Sequence, residues 1–315
     1  MPRALVTGAS GFAGPYLIEH LLEQGYEVVA GVHGPTARLA QECQQISLDV
    51  TDREGVRRAV TEARPDEIYH LAGLTRPAGS DVEKYYGVNF GGALNLLEAA
   101  HEQAPEAKVL LVGSAYVYGR VSHPIAETEP FNPVNHYGVS KAAADLLGRS
   151  YALQGLRVVC ARPFNHSGPH QSPDFVLPTL VRQFVEILAG EREPVVRFGN
   201  LDSVRDLSDV RDVVRGYRLA LLRGAPGEAY NLGSGRGASV RELLDLVSRE
   251  AGVEAELHVE PSRVRATDIP YLVADVSKAR TELGWKAEIP LRDTIQDMLN
   301  ADLEELKASG LANRP

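Results

Sequence analysis

Short hydrophobic runs alternate with amphipathic stretches along the first half of the chain. Runs that predict buried strands occur at 4–7, 27–30, 67–73, 108–114 and 157–162. Between them, apolar residues such as Leu17, Ile18 and Leu21 recur at the spacing of one helical face. Strands that alternate with helices in this way favour a parallel sheet covered on both faces. The sequence therefore predicts an α/β fold with a doubly wound, Rossmann-type sheet.

The alternation becomes irregular after residue 163, where a polar loop bounded by Pro and Gly begins. Helices predicted in this half lie at 175–189, 210–222, 239–251, 277–284 and 291–307. No low-complexity linker separates the two halves, so we expect a second lobe packed against the first. We predict a larger domain at 1–163, with a returning segment near 200–224. A smaller α/β lobe is predicted from 164–199 and 225–315.

Composition narrows the function classes. Acidic residues outnumber basic ones by 42 to 33, and a net charge of −9 argues against nucleic acid as a partner. No stretch of roughly 18 apolar residues occurs, which argues against a membrane partner. The two cysteines, Cys43 and Cys160, have no metal-binding spacing and are expected to be reduced core thiols. We therefore expect a cytoplasmic protein without a metal site.

A glycine-rich turn stands between the first predicted strand and the first helix. Its candidate cofactor-binding residues are Gly8, Ser10, Gly11, Phe12, Ala13 and Gly14. Glycines at this point let backbone amides approach a pyrophosphate at the helix N-terminus. The turn predicts a bound dinucleotide, and a plain glycine turn is the alternative.

The end of the second predicted strand bears on the choice of dinucleotide. No acidic residue follows this strand until Glu42, whereas a carboxylate there would bind the ribose hydroxyls of NAD. His33 and Arg38 are placed to face a 2′-phosphate instead, so NADP(H) is favoured and NAD(H) stays open. Arg38 is alternatively a solvated helix residue.

Two further segments are candidates for cofactor contacts. Asp49, followed by Val50, is placed to reach an adenine amine, and its alternative role is that of a cap. The strand at 67–73 ends in Leu71, Ala72 and Gly73, a small-residue turn expected beneath the cofactor. His70 in this strand is interpreted as an ordinary buried histidine.

Candidate catalytic residues follow the central strand. Ser114 ends the strand at 108–114, and chemistry in a doubly wound sheet gathers at such carboxyl ends. Tyr137 and Lys141 lie one helical turn apart. An ammonium near a phenol favours phenolate, so Lys141 is expected to lower the pKa of Tyr137. Tyr137 then becomes a candidate proton donor to a carbonyl oxygen, although most pairs with this spacing are ordinary surface helix.

The buried face of the helix that carries Tyr137 is predicted from its larger side chains. These are Ala143, Leu146, Leu147 and Tyr151. Another helix is predicted from Asn89 to Ala100, and Asn89 is expected to hold a backbone group near the active strand.

Taken together, these motifs resemble the extended short-chain dehydrogenase/reductases over essentially the whole chain. The resemblance rests on Thr7-Gly8-x-x-Gly11-x-x-Gly14, on Ser114, and on Tyr137 with Lys141. It extends to the Asn89 helix, to 205–210, to 230–235 and to Gly284-Trp285. The resemblance implies an NAD(P)-binding Rossmann domain, a smaller nucleotide-sugar-binding lobe, and a catalytic Ser, Tyr and Lys.

One loop narrows the branch. The segment at 162–171, followed by Phe175-Val176, is most similar to GDP-4-keto-6-deoxy-D-mannose reductases and the related GDP-mannose 4,6-dehydratases. The acidic residues of the dehydratases would fall at Ala115 and Tyr116, and elimination of water needs a carboxylate as base and acid. Reduction of an existing ketone needs none, so the resemblance favours a reductase.

The resemblance also implies the substrate contacts. Asn165, Arg205 and Arg265 are candidate ligands of a sugar-nucleotide diphosphate, since guanidinium groups suit phosphates. The alternative is that these arginines pair with Asp206, Asp209 or Asp268. Residues with further implied roles are Ser114 at the substrate carbonyl, Pro163 beside the nicotinamide, Val176 and Arg182 near the base or phosphates, and His166 as a sugar contact or a loop-ordering residue.

We therefore expect a reductase that transfers hydride from NAD(P)H to C4 of a GDP-linked 4-keto-6-deoxy hexose. A 4,6-dehydratase and a 4-epimerase are the rival enzymes, and a non-catalytic nucleotide-binding regulator is the rival of another class. Members of the family typically form homodimers through the helices that correspond to 89–100 and 142–153, so we expect a homodimer here. The small residues of these two helices permit close packing.

Overall fold

Thirteen strands and nine helices are formed by residues 1–34, 36, 38–75, 81–260, 269–308 and 310, which this computed structural model describes. The strands are β1 (Arg3–Thr7), β2 (Glu27–Val32), β3 (Gln44–Ser47), β4 (Glu67–His70), β5 (Lys108–Val112), β6 (Arg157–Pro163), β7 (Asn165–Ser167), β8 (Val195–Phe198), β9 (Val204–Asp209), β10 (Ala229–Leu232), β11 (Gly237–Ser239), β12 (Glu256–Val259) and β13 (Tyr271–Leu272). The helices are α1 (Ala13–Glu23), α2 (Arg53–Ala63), α3 (Val82–Tyr85), α4 (Gly92–Gln103), α5 (His136–Leu153), α6 (Val176–Leu188), α7 (Val210–Arg223), α8 (Val240–Ala251) and α9 (Leu291–Ala308). Two π-helical turns, at Tyr86–Gly91 and Ala279–Leu283, and a 3-10 turn at Ala115–Val117 are also present among the described residues.

Seven of the described strands form one parallel sheet in the order β10-β6-β5-β4-β1-β2-β3. Helices α1, α2, α4 and α5 connect successive strands of this sheet and carry the chain over one of its faces, as parallel pairing requires. The strand order reverses between β1 and β4. From β1 the chain adds β2 and β3 on one side, and from β4 it adds β5, β6 and β10 on the other. Ligands of such sheets bind outside the strand ends at this point. The predicted Rossmann-type α/β fold is confirmed.

Helices cover both faces of the large sheet. Leu17 of α1 and Val213 of α7 are fully buried in the cluster on one face. Val56 of α2 and Leu96 of α4 are fully buried in the cluster on the other face, where α5 packs beside α4. The strands are therefore apolar on both sides, which explains their continuous hydrophobic runs.

A smaller group of elements lies after the large sheet in sequence. β9 pairs with β7, β11 and β13, while β8 pairs with β12. Helices α6, α8 and α9 pack together over a separate core that includes Phe184, Leu243 and Ile295. Helix α8 begins with a capping box in which Ser239 and Glu242 bond each other's backbone amides.

One part of the predicted division needs correction. Residues 225–315 were assigned to the smaller lobe, but β10 pairs in parallel with β6 at the edge of the large sheet. The returning segment predicted near 200–224 contributes α7 to the large domain, whereas β9 pairs with strands of the smaller lobe. The hydrophobic pattern of the sequence is local, so it could not predict the pairing of β10 with the distant β6.

The predicted buried face of α5 is wrong at Leu146, which is 55% exposed, while Leu147 and Tyr151 are partly buried against the core. The buried residues of the helix are Gly138, Ser140, Lys141, Ala142, Ala144, Asp145 and Gly148. At Gly148 an added Cβ would lie 2.6 Å from Leu111 Cδ1, so the helix approaches β5 closely. A small and polar face therefore packs most closely on the sheet, with Leu147 and Tyr151 beside it.

Within the described part of the chain, no helix is both long and apolar enough to cross a membrane. The same residues contain no group of three or more His, Cys, Asp or Glu side chains that could hold a metal ion. Cys43 and Cys160 are buried free thiols.

Candidate active site

The glycine turn after β1 lies against the end of β4. Gly8 has a φ of +69°, and a Cβ added there would lie 2.5 Å from the backbone nitrogen of Ala72. At Gly14 an added Cβ would lie 2.1 Å from the carbonyl oxygen of Ala9, at the start of α1. Any side chain at either position would push these backbones apart. The two glycines therefore let the predicted cofactor turn, 8–14, lie beside the predicted cofactor segment, 71–73.

The loop at 165–171 lies over this turn. The rings of Phe12 and His166 stack with centroids 6.0 Å apart and an interplanar angle of 16°. The hydroxyl of Tyr16 donates to the carbonyl of Pro169 at 2.9 Å. His166 Nδ1 lies 3.0 Å from the carbonyl oxygen of Phe164, and burial lowers the pKa of its imidazole. These contacts give His166 the loop-ordering role.

His33 and Arg38 lie beyond the end of β2, and both are exposed. The Arg38 guanidinium lies over the ring of Tyr16, with its central carbon 5.3 Å from the ring centroid. Arg38 thus stands beside α1, close to the glycine turn that precedes it. Its proposed partner, a 2′-phosphate, stays a prediction.

Asp49 has a local structural role. Its Oδ1 accepts hydrogen bonds from the backbone nitrogen and the hydroxyl of Thr51, at 2.9 and 2.7 Å. These bonds hold the pKa of the Asp49 carboxyl below its usual value. The neighbouring Val50 is buried, and its carbonyl accepts from Asn95 Nδ2 at 2.9 Å. Asp49 therefore orders the turn before α2 without capping that helix, and its contact with adenine stays a prediction.

Ser114 and Tyr137 come together at the carboxyl end of β5. The Ser114 hydroxyl accepts from the backbone nitrogen of Tyr116 at 3.2 Å, and it acts to lower the pKa of the neighbouring Tyr137 phenol. Lys141, one turn further along α5, is buried, and its Nζ donates to the carbonyl of Val112 at 2.8 Å. The three predicted catalytic residues therefore occupy one site at a strand end.

The electrostatics of the pair differ from the sequence-based expectation. Burial raises the pKa of Tyr137 to about 12, and the hydrogen bond with Ser114 opposes that rise. Burial lowers the pKa of Lys141 from 10.5 to about 8. Lys141 is not among the described groups that shift the Tyr137 pKa, and its Nζ donates to the Val112 carbonyl. The expectation of a lowered Tyr137 pKa is wrong for the structure as it stands.

Asn89 ties the site to the end of β4. Its Oδ1 accepts from the backbone nitrogen of Leu74 at 2.7 Å, and its Nδ2 donates to the carbonyl of the same residue at 3.1 Å. Nδ2 also donates to the hydroxyl of Ser140 at 3.0 Å, and that hydroxyl donates to the carbonyl of Tyr137 at 2.8 Å. The prediction that Asn89 holds a backbone group near the active strand is confirmed. Asn89 lies in the π-helical turn, a feature frequent at functional sites.

Aromatic rings surround the Tyr137 phenol. The rings of Tyr116 and Tyr85 meet it edge-on, at centroid distances of 5.7 and 6.4 Å. Ala115 beside Ser114 is buried. Of the described groups that shift the Tyr137 pKa, Ser114 lowers it while Tyr116 and Tyr85 raise it, and none is a carboxylate.

A buried ionic network behind α5 was missed from the sequence. Arg162 in β6 is fully buried and bonds both carboxylate oxygens of Asp145 on α5. Its Nη1 also donates to the hydroxyl of Tyr118 at 2.8 Å, and that hydroxyl donates to Asn231 Oδ1 at 2.7 Å. The network joins the catalytic helix to β6 and β10. A charged residue within the hydrophobic run at 157–163 was the signal available in the sequence.

Arg205 is the predicted phosphate ligand whose surroundings are best described. It is 7% exposed, and its Nη1 donates to the carbonyl of Val204 at 2.9 Å. The alternative partners are occupied: Asp206 accepts from Ser234, Gly235 and Ala274, and Asp209 accepts from Arg211 and Thr294. No carboxylate among the described residues pairs with Arg205. Arg265 and Asp268 lie outside the described residues.

The other predicted substrate residues are divided between two places. Asn165 in β7 has a buried Oδ1 with no partner among the described groups, and Pro163 ends β6 in the large sheet. Val176 begins α6 and packs against the core of the smaller lobe. Arg182, paired with Glu186 at 3.3 Å, lines a different surface groove of about 580 Å³ with Arg192 and Arg197. Ser114 and Tyr137 are not among the residues that line that groove.

Comparison with known proteins gives one family match over most of the chain. The family described as GDP-mannose 4,6 dehydratase matches residues 5–298. GDP-6-deoxy-D-mannose reductase of Pseudomonas aeruginosa is 33% identical over 304 residues, covering 95% of this chain and 96% of that protein.

Two solved structures with the same architecture each contain a nicotinamide dinucleotide, NADPH in one and NAD in the other. RMD from Pseudomonas aeruginosa, in complex with NADPH, superposes with a TM-score of 0.86 at 30% identity, covering 97% of this chain and 100% of that one. UDP-glucose 4-epimerase of Thermus thermophilus, in complex with NAD, superposes with a TM-score of 0.84 at 30% identity, covering 95% of this chain and 98% of that one.

Proposed function

This chain belongs to the GDP-mannose 4,6-dehydratase family, and we propose that it reduces the C4 ketone of a GDP-4-keto-6-deoxy hexose with NAD(P)H. The observation that carries the proposal is the surroundings of Tyr137. Ser114 acts to lower the pKa of its phenol, while Ala115 and Tyr116 stand where the family resemblance places the acids of a dehydratase. The site therefore provides a proton donor for a carbonyl oxygen without a carboxylate beside it.

The cofactor proposal rests on the glycine turn. The close approach of Gly8 to Ala72, and of Gly14 to Ala9, leaves backbone rather than side chains at the start of α1, which suits a pyrophosphate. NADPH is favoured over NADH because His33 and Arg38 are exposed at the end of β2, where an NAD enzyme needs an acid. The NADPH complex of the Pseudomonas aeruginosa relative supports this choice. When bound, the nicotinamide supplies the hydride that C4 accepts.

The roles of the three catalytic residues follow from their positions. Tyr137 gives its phenolic proton to O4, which becomes the hydroxyl of the product. Ser114 orients the carbonyl oxygen, since its hydroxyl acts on the same phenol at the end of β5. Lys141, buried one helical turn from Tyr137, holds a cofactor ribose. Pro163, at the end of β6, packs beside the nicotinamide.

The nucleotide-sugar contacts are proposed on the side of β7 and β9. Arg205 is buried without a carboxylate partner among the described residues, and a buried guanidinium is costly unless an anion or hydrogen bonds compensate it. A diphosphate provides both. Asn165 has an unpartnered buried oxygen on the neighbouring strand and is the second proposed ligand. The guanine base is proposed from the names of the relatives.

One absorbance experiment tests the reaction. The purified enzyme is mixed with GDP-4-keto-6-deoxy-mannose and NADPH, and with NADH in a parallel reaction. We expect one nicotinamide oxidised per sugar reduced. Conversion of the sugar without loss of NAD(P)H would support a 4-epimerase, and formation of the ketone from GDP-mannose would support a dehydratase. Either result would overturn the reductase proposal.

We also propose a homodimer through α4 and α5. Val139, Leu146 and Leu153 are exposed and stand seven residues apart, so they share one face of α5. Three exposed apolar side chains in a row are unusual for a free helix surface. A second copy of the chain, related by a two-fold axis, would cover them with the same residues.

A further inference from the structure

A small cavity lies beside Lys141, between the end of β5 and α5. The polar or titratable residues that line it are His70, Asn89, Lys141, Asp145 and Cys160. The space accessible to the centre of a water-sized sphere is about 10 Å³, close to the roughly 10–15 Å³ that one water molecule needs. Gly73 keeps the region open, because a Cβ there would lie 3.0 Å from Lys141 Nζ and 3.1 Å from Asn89 Oδ1.

His70 has one ring nitrogen engaged and one free. Its Nδ1 lies 2.7 Å from the hydroxyl oxygen of Thr7, which also accepts from the backbone nitrogen of Ala72 at 3.3 Å. The side chain is only 4% exposed, and its Nε2 has no partner among the described residues. A buried polar nitrogen in a polar cavity is a place where ordered water binds.

The charge of Lys141 decides which way the imidazole is protonated. Burial, together with the positive charge of Lys141, lowers the pKa of His70 to about 3, so the ring is neutral at pH 7. A neutral imidazole has one N–H and one lone pair. If Nε2 carried the N–H, the partial positive charge of its hydrogen would face the cavity that the Lys141 ammonium also lines, which is unfavourable. A lone pair on Nε2, with the N–H on Nδ1 facing Thr7, is electrostatically favoured.

The other titratable groups around Lys141 are already engaged or neutral. Asp145 is held by Arg162 and Arg149. Burial and the nearby Asp145 raise the pKa of the Cys160 thiol, which stays protonated. Burial raises the pKa of the Tyr137 phenol to about 12, so this group is neutral. His70 is therefore the residue on the cavity wall with an uncommitted acceptor.

We propose that one water molecule binds in this cavity, accepts a hydrogen bond from Lys141 Nζ and donates to Nε2 of a His70 that is protonated on Nδ1. His70 is then a positioning residue: through the water it holds the ammonium in place and favours its charged form. The site concerns Lys141 itself and does not depend on which ketone the enzyme reduces.

Two variants separate this role from a purely structural one. In His70→Asn the amide occupies the place of Nδ1, so the contact with Thr7 is kept and the acceptor at Nε2 is lost. In His70→Gln the amide reaches the place of Nε2 and keeps an acceptor in the cavity. Titration of Lys141 is followed by carbon NMR of lysine labelled at Cε, with its signal assigned by its loss in Lys141→Met.

We expect His70→Asn to lower the Lys141 pKa by about one unit, because the charged form loses a hydrogen-bonded partner. His70→Gln should leave it within a few tenths of a unit of the wild-type value. An unchanged Lys141 pKa in His70→Asn would overturn the proposal, as would equal shifts in the two variants.

Nitrogen NMR of the wild-type protein gives a second test that needs no folded variant and no activity. With histidine labelled in the ring, the His70 signal should be that of the Nδ1–H tautomer, with an unprotonated Nε2 that is hydrogen-bonded. An Nε2–H tautomer would contradict the proposed acceptor. A crystal structure should show one water within hydrogen-bond distance of both Nζ and Nε2, and an empty cavity there would also overturn the proposal.

Discussion

Arg162 and Asp145 form a two-point salt bridge in the interior, with Nε 2.8 Å from Oδ2 and Nη2 2.9 Å from Oδ1. Both side chains are fully shielded from solvent. Because Asp145 lies one turn after Lys141 on α5 and Arg162 lies in β6, the bridge fixes the catalytic helix against the sheet. The arrangement of the site thus depends on a contact outside it.

Loss of one partner of this bridge should be costly. Asp145→Asn leaves the Arg162 guanidinium buried without its counter-ion, and we expect the free energy of unfolding to fall by roughly 3–5 kcal/mol. Urea denaturation measures the change. Arg149→Ala is the matched control, since Arg149 also contacts Asp145 but its side chain is 42% exposed. A loss in Asp145→Asn as small as in the control would contradict the role given to the bridge.

Removal of the Tyr137 hydroxyl tests proton transfer. Tyr137→Phe should reduce kcat for ketone reduction by roughly 10²- to 10⁴-fold, because the proton donor to O4 is lost. Binding of NADPH, followed by fluorescence titration, should change little. Tyr85→Phe serves as control, since its ring lies 6.4 Å from that of Tyr137 in an edge-on contact. Near-full activity of Tyr137→Phe would refute the assignment.

Arg205 provides a test of the substrate site. Arg205→Met should raise KM for the GDP-sugar by about 10- to 100-fold, since a charged hydrogen bond to phosphate is removed. We expect kcat to change less than KM. Arg182→Met, at an arginine already paired with Glu186, should leave KM within a few-fold of the wild type. Calorimetric titration with GDP provides the same comparison without turnover, and unchanged GDP affinity in Arg205→Met would exclude Arg205 as a phosphate ligand.

Burial of Lys141 predicts a stability that depends on pH. Its folded pKa, about 8, lies below the ordinary 10.5, so the buried ammonium destabilises the fold below pH 8. Between pH 8 and 10.5 the folded protein has lost this proton while the unfolded chain keeps it, and stability rises. The shift corresponds to roughly 3 kcal/mol, and the lost hydrogen bond to Val112 offsets about 1 kcal/mol of it.

Lys141→Met should therefore be inactive but about 2 kcal/mol more stable than the wild type at pH 7. The difference should shrink as pH rises through this interval. Denaturation with urea at pH 7 and pH 10 measures both values, with the exposed Lys84 changed to Met as the control. A Lys141→Met variant that is less stable than the wild type at pH 7 would contradict the prediction.

The proposed dimer is tested on α5. Leu146→Glu places a charge in the centre of the apolar row, and light scattering should then give the mass of one 34.2 kDa chain instead of two. Leu222→Glu, at another exposed leucine on α7, should leave the mass unchanged. A wild-type protein that is already monomeric would reject the dimer.

Several features of the candidate site could be predicted because they are local. The glycine spacing at 8–14 and the four-residue separation of Tyr137 and Lys141 are written within one turn or one helix. The position of Ser114 after a hydrophobic run places it at a strand end. Asn89 was expected to hold a backbone group near the active strand, and its Oδ1 accepts from the backbone nitrogen of Leu74 at 2.7 Å.

What the sequence by itself determined was the order of strands and helices, and the residues that stand at strand ends. The tertiary structure decided which side chain each of these residues meets. Lys141 donates to the Val112 carbonyl, while burial raises the pKa of Tyr137 and Ser114 acts to lower it. On α5, Ser140 and Asp145 are buried and Leu146 is exposed. The buried partners of Lys141 and Asp145 on α5, the Val112 carbonyl and the Arg162 guanidinium, lie on strands distant from them in sequence. Hydrogen bonds and ion pairs between such segments depend on the packing of the whole sheet, which no local periodicity contains.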